Sequence, residues 1–373
     1  MASSRGERVA YTAAVSSPRC ALACAVILGW SALGARGLAA PGGRAPGGPH
    51  RGVALGLFSE DAGWSYRPLL DEIAATGADH VELVVAWYLA DVAGVEVHDH
   101  PRLTAPPEAI ERAVADAHAA GLKVFLFPIL RLERQAAPDE WRGTLRPRDR
   151  AALFASYTRR LVELGRLAAR TRVELFSVGS ELSTLDGDRA PWETLVAAVR
   201  AVYPGQLTYS GNWDHFRKVA FYDLLDYVGL CGYFALADGG EHGWGSERGT
   251  HPRAASRPAG DDDLLRAWRD LRVELDRFAA RWRRPLLFTE VGYLSQRGAT
   301  AWPWAEGRRD PVDLEEQRRA YAAFRRAFAD RELGGVYFWN WYGWGGPTSG
   351  GYTPRGKPAA DEIKRFFATL RGR

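Results

Sequence analysis

Short apolar, β-branched runs recur eight times along this chain, each followed by a stretch whose apolar spacing is helical. No other feature restricts the fold as much. The runs are GVALGLFS from Gly52, HVELVVAWY from His80, KVFLFPIL from Lys123, VELFSVGS from Val173, QLTYSGNW from Gln206, YVGLCGYF from Tyr227, PLLFTEVGY from Pro285 and GGVYFWNWY from Gly334. Several are apolar almost without interruption, as expected of parallel strands covered on both faces. Between them the period changes. Trp268, Leu271, Leu275, Phe278 and Trp282 step by three and four along one helical face, Leu161, Leu164 and Leu167 with Val162 mark another, and Ile110, Val114 and His118 a third. Asp310-Pro311-Val312-Asp313 has the form of an N-cap with proline at the first helical position. A last helix is expected from about Pro358 through Phe367.

Eight such units in series predict an α/β fold, a single (β/α)8 TIM barrel over residues 52–373. The competing architecture, an open doubly wound sheet, usually announces itself by a Gly-rich phosphate turn after the first strand, and GLFSEDAGW is not one. The length of 373 residues is ample for a barrel, which needs roughly 250.

The first forty residues do not belong to the barrel. Arg5, Arg8 and Arg19 precede an apolar run from Cys20 to about Leu33, followed by the small residues around Ala39 and Ala40. This is the pattern of an export signal, residues 1–40, with an uncleaved anchor as the alternative. Residues 41–51, rich in Gly, Pro and Arg, read as a flexible linker. Secretion or a periplasmic location follows, with membrane attachment if the signal stays uncut. Cleavage removes four arginines and one acid, so the formal charge of +4 falls to about +1, and nothing points to a nucleic-acid partner. It also removes Cys20 and Cys24, leaving Cys231 alone and expected in core packing.

In a barrel the functional residues lie at the C-terminal ends of the strands. Glu181 follows the fourth run and Glu290 lies at the end of the seventh. A carboxylate after an apolar strand is either solvated at the rim or has a task, because burying it unpaired is costly. Together the two form the carboxylate set that glycoside hydrolysis uses. Trp87 and Tyr88, Trp213, Tyr233, Tyr293, and Trp339, Trp341 and Tyr342 crowd the same ends. Aromatic faces stack on sugar rings, although some of the 14 tryptophans must fill core. Such a rim fits a hydrolase or a non-catalytic carbohydrate-binding barrel. Two intact glutamates argue for the first, and a mere scaffold would carry a plain rim. His98-Asp99-His100 has the composition of half a metal site, but nothing near it supplies further ligands at typical spacing. The run from Gly239 to Asp263 and the Trp302-Pro303-Trp304 segment are long-loop candidates for walls of a cleft.

The motifs FSVGSELS, TYSGNWD, LDYVGLCGYF, FTEVGY, VYFWNWY and YTPRGKPA, in that order, resemble glycoside hydrolase family 113. That family belongs to clan A of the (β/α)8 hydrolases and contains retaining endo-β-1,4-mannanases. The resemblance runs from about Gly52 to the C-terminus. It implies Glu181 as acid/base, Glu290 as nucleophile and Tyr233 as the residue orienting that nucleophile. It implies Asn212 and Trp213 as a polar and aromatic pair at the substrate, Trp87 as the second-strand aromatic, and either Trp339 or Trp341 beneath the sugar in the cleaved subsite. Ser180 stands where many clan members have asparagine, and PILRLE lacks a polar residue directly after Pro128. On this reading Glu290 is ionised at rest and Glu181 starts protonated. Neither a metal nor an organic cofactor is required. The expected partner is a poly- or oligosaccharide, with no membrane partner once the signal is cut, and the protein is expected to be a monomer.

Overall fold

The computed structural model describes residues 48–237, 259–307 and 309–371. Eight parallel strands close a barrel in chain order: β1 (His50–Gly56), β2 (His80–Leu89), β3 (Lys123–Leu132), β4 (Leu175–Ser180), β5 (Gln206–Gly211), β6 (Val228–Cys231), β7 (Leu286–Val291) and β8 (Gly335–Phe338). β8 pairs back onto β1 with His50 opposite Gly335, which completes the ring. The barrel expectation therefore holds. The expected signal, most of the expected linker and the loop from Gly239 as far as residue 258 lie outside the described residues. β1 starts at His50, two residues inside the stretch read as linker, because the His50 ring is buried in the floor of the barrel.

The helices among the described residues are α1 (Arg67–Ala75), α2 (Pro107–Ala119), α3 (Arg150–Arg170), α4 (Arg189–Arg200), α5 (Asp261–Trp282), α6 (Leu314–Phe328) and α7 (Ala359–Arg371). The β5–β6 connection has no α-helix, against the expectation of one after every strand. Two short 3-10 turns, Phe216–Lys218 and Tyr222–Leu224, cover the barrel there with Phe216 and Tyr222. The start of α6 also differs from expectation. Asp313, not Asp310, is the cap, accepting from the Glu316 N–H at 2.8 Å, while Pro311 O accepts from Arg297 N and Val312 bridges to Gln296. The preceding residues form a strand-like bridge, so the helix cannot begin on them. Among the described residues no helix is long and apolar enough to cross a membrane.

Two apolar clusters follow from the two faces of the strands. Val84, Ala86 and Tyr88 of β2 join Phe125, Leu287 and Tyr337 inside the barrel. Val81, Leu83, Val85 and Trp87 face the helices. A period of two fixes this division, so one strand's parity decides which end residues can reach the mouth.

Candidate active site

Glu181 and Glu290 converge at the mouth by way of a third residue. The backbone of Cys231 lies opposite Glu290 in the β6–β7 ladder, and its thiol donates to Glu181 Oε1 at 2.9 Å. The lone cysteine is thus part of the site, not only core. Its second contact, 3.4 Å from Asn212 Oδ1, brings the fifth-strand asparagine into the same floor. Asn212 is fully buried and donates from Nδ2 to Asp214 at 2.7 Å.

The backbone at the end of β4 is shaped for presentation. Glu181 adopts left-handed φ of 54°, uncommon for a residue with a side chain. Its N–H donates to Ser210 O at 2.8 Å, and the next N–H, of Leu182, donates to the Tyr209 hydroxyl at 2.8 Å. Gly179 is required two residues earlier, since a Cβ there would lie 2.9 Å from the Tyr157 hydroxyl.

The carboxylates have different partners. Arg142, from the 3-10 turn Arg142–Thr144 in the β3–α3 connection, donates to Glu181 Oε2. The Trp141 ring lies beneath that guanidinium, 5.6 Å from its centroid. Glu290 accepts from the Tyr233 hydroxyl at Oε2, 2.8 Å away, and its Oε1 is buried with no protein partner. Burial and the charge of Glu181 push the Glu290 carboxyl up to about 8, while Arg142 and the Tyr233 hydroxyl pull it down. That direction opposes the expectation that Glu290 is ionised at rest, and burial is its first cause. No sequence motif announced the position of the Arg142 guanidinium beside Glu181.

The predicted aromatics divide. Trp213 stacks on Trp304 at 4.7 Å and 22°, which brings the Trp302-Pro303-Trp304 segment to the site. Tyr233 packs edge-on against Tyr352. Trp339, half-buried directly after β8, touches both the inner and outer clusters, and its peptide bond to Asn340 is cis. Trp341 turns away: its N–H donates to Ala54 O at 2.7 Å and its indole N–H to Glu72 of α1 at 2.9 Å. Of the two eighth-strand tryptophans, only Trp339 stands at the mouth. Trp87 is not at the mouth either. It lies in the outer layer with Ile110 and Leu164, edge-on to Tyr157 and beneath Arg160, because its parity on β2 is opposite to that of Val84 and Ala86. Tyr88 has the inward parity and meets the His100 ring at 5.0 Å. The Ser180 hydroxyl is buried beside Glu181 without a protein partner. His98, Asp99 and His100 go separate ways: to Glu133, to Arg160, and to the backbone N–H groups of Arg102 and Leu103.

The site residues that sequence reasoning missed are Arg142 and the role of Cys231. Arg142 is one of many arginines in the chain, and only its loop position after β3 hinted at the mouth. Cys231 ends β6, which was the available signal.

The model of Glycoside Hydrolase Family 113 matches residues 57–344. Among solved structures, the chain is similar to the GH113 β-mannanase AaManA from Alicyclobacillus acidocaldarius, in complex with ManMIm. The identity is 27% and the TM-score 0.74, over 87% of this chain and 98% of that one. A second GH113 β-1,4-mannanase shares the fold at 21% identity and TM-score 0.72, covering 86% of this chain and 99% of the other. A GH5_18 protein from Streptomyces cattleya shares it more distantly, at 16% identity and TM-score 0.55, over 87% and 81%. A search of curated proteins finds no match. The chain belongs to glycoside hydrolase family 113 and is a glycosidase.

Proposed function

We propose that this glycosidase is a retaining endo-β-1,4-mannanase in which Glu290 is the nucleophile and Glu181 the acid/base. The observation that carries the assignment is the asymmetry of partners around Cys231. Glu290 is gripped at one oxygen by Tyr233 and has the other open, the arrangement of a group that must attack. Glu181, directly after β4, meets the Arg142 guanidinium and the Cys231 thiol. The β-mannanase likeness at 27% identity supports the substrate class.

Glycosylation begins when Glu290 carboxylate attacks the anomeric carbon. The bond to the leaving oxygen breaks as that oxygen takes the proton of Glu181. Water then gives its proton to Glu181 and attacks the same carbon, releasing Glu290 and restoring the original configuration. Chemistry needs Glu290 ionised, whereas burial favours its protonated form in the free enzyme. A sugar hydroxyl donating to the open Oε1 of Glu290 favours that carboxyl's charged form. Substrate entry thus favours the ionised nucleophile that the reaction uses. The basic and apolar N-terminal segment, read as an export signal, supports action outside the cytoplasm; N-terminal sequencing of the exported protein tests this by finding cleavage near Ala39 or Ala40.

The test is release of reducing sugar from a panel of β-mannans, glucans and xylans by the enzyme and by Glu290→Ala. Cleavage of mannan that disappears in the variant is expected. Cleavage of a different polymer alone would replace the substrate assignment, and activity surviving in the variant would remove Glu290 from its role.

A further inference from the structure

The loop after β8 displays aromatic residues to solvent above a hydrogen-bonded foundation. Trp344 is 92% exposed and Tyr342 36% exposed. Beneath them, Trp341 is anchored to Ala54 O and Glu72. Arg355 grips Glu72 through two hydrogen bonds of 2.6 Å each, donates from Nη1 to Gly343 O at 3.2 Å, and accepts at its carbonyl from Gly346 N at 2.9 Å. Gly343, Gly345 and Gly346 have φ of 92°, 66° and 81°. A Cβ at Gly345 would lie 2.2 Å from Arg355 O, so the turn is built for this path. An indole held out by a braced loop costs little ordering entropy when it meets a ligand.

The display is continuous with the mouth. Tyr342 meets Phe58, just after β1, at 5.5 Å and 73°. Phe58 packs against the inner cluster, and Arg131 of β3 lies over its ring at 5.9 Å. Flat apolar rings with a cation beside them, leading away from a carboxylate pair, suit the alternating C–H faces and hydroxyls of a sugar chain. The direction follows from the ring of strands. In an eight-stranded barrel β8 stands across from β4, and the leaving group departs on the side of Glu181, the acid that follows β4. The β8 and β1 loops therefore lie on the side of the sugar that is retained.

We infer that Phe58, Tyr342 and Trp344 form a distal platform for the non-reducing side of a β-linked glycan chain, beyond the ring at which cleavage occurs. The inference rests on the roles proposed for Glu181 and Glu290. It is tested with Trp344→Ala and Tyr342→Ala, and with Trp344→Tyr as the conservative variant, each first checked for an unchanged melting temperature. On mannan, Trp344→Ala is expected to lower kcat/KM by about tenfold through KM, an effect of the size that one lost ring contact produces. On mannotriose the loss stays within about twofold, and Trp344→Tyr recovers most of the activity on the polymer. With reducing-end-labelled mannohexaose, the cut shifts toward the non-reducing end, because fewer retained-side rings are held. Equal losses on polymer and trisaccharide, no loss on either, or a shift toward the reducing end would each overturn the platform. If the enzyme cleaves no mannan, the substrate assignment has failed, and if it cleaves no polymer at all the reading of the carboxylate pair has failed with it. Quenching of tryptophan fluorescence by mannohexaose and cellohexaose then decides the platform separately, with about tenfold weaker binding by Trp344→Ala expected for one of them and unchanged binding of both overturning it.

Discussion

Both ends of this barrel carry buried polar side chains, yet they treat them in opposite ways. At the N-terminal end, His50 Nδ1 lies 3.0 Å from the Tyr337 hydroxyl and Nε2 lies 3.2 Å from that of Tyr227, which itself donates to Gln206 Oε1 at 3.2 Å. These contacts fix one consistent proton order. Tyr337 donates to Nδ1, Nε2–H donates to Tyr227, and Tyr227 donates to Gln206. A single ring proton suffices, in keeping with burial and His80 pushing His50 well below the usual histidine range. His80 stacks on it at 4.0 Å and binds Asp79. Every group has a partner, and the network is finished. At the C-terminal end, Glu290 Oε1 and Ser180 Oγ are buried without one, and a guanidinium rests on a carboxylate that must later carry a proton. Polar groups left open at one end and closed at the other separate a working surface from a structural plug.

The sharpest way to break that comparison is to remove the carboxyls. Glu290→Gln and Glu181→Gln are each expected to lower kcat/KM by at least about 10³-fold. Azide separates their roles: with an activated glycoside it should yield the α-azide from Glu290→Ala and the β-azide from Glu181→Ala. Stability should move the other way. The native Glu290 carboxyl holds its proton to about pH 8, whereas the unfolded chain releases it near 4.5. Stability present below 4.5 is therefore lost as pH rises toward 8. Glu290→Gln should be more stable than the parent at pH 8, by an amount on the order of a few kcal/mol and with a higher melting temperature, and should melt equally at pH 4. Equal melting at both would mean the mouth stores no such cost. One hydroxyl is a smaller probe of the same site. Tyr233→Phe removes the donor that favours charged Glu290 and should reduce kcat by about 10²-fold. Because that donor lowers the Glu290 pKa, the limb of the pH–rate profile that reports Glu290 ionisation should move to higher pH. A loss of rate with no movement of that limb would assign Tyr233 to the sugar instead.

Much of the barrel was legible because its strands are apolar and its helices periodic, and Glu181 and Glu290 were legible because acids at the ends of apolar strands are conspicuous. Trp87 was misplaced by ignoring parity: counting by two from Val84 leads to Tyr88. Trp341 was ambiguous because sequence spacing says nothing of Glu72, 269 residues away, which turns its indole toward α1. The place of Arg142 was illegible for the same reason, because its loop reaches Glu181 only after β3 and β4 are paired. Long-range ion pairs at loop tips leave no local pattern to read.

Between the two ends sits Glu82, which belongs to neither. It is fully buried on the inward side of β2, and neither carboxylate oxygen has a protein partner. Burial first, and Glu290 second, push it well above the usual carboxyl range. The native state thus keeps its proton where the unfolded chain gives it up, and stability falls as pH rises past 4.5. Glu82→Gln, which copies the neutral acid, should flatten that fall and leave activity within about threefold, well short of the loss expected from a reacting carboxyl. A larger loss would make Glu82 part of the working end.

The mildest change is at the finished end. Tyr337→Phe deletes one hydroxyl from the His50 network as Tyr233→Phe deletes one from Glu290, so the two variants differ only in which end they touch. Tyr337→Phe should cost about 1 kcal/mol of stability and leave kcat/KM within about twofold. The cost arises because His50 Nδ1 loses its donor in a place water reaches poorly, and the reacting groups lie at the other end of the strands. Measured side by side, Tyr337→Phe should lower the melting temperature and keep the rate, and Tyr233→Phe should do the reverse. If both variants lost rate alike, the plug would be coupled to the mouth through Glu82 and the inner cluster, and the division drawn between the two ends would fail.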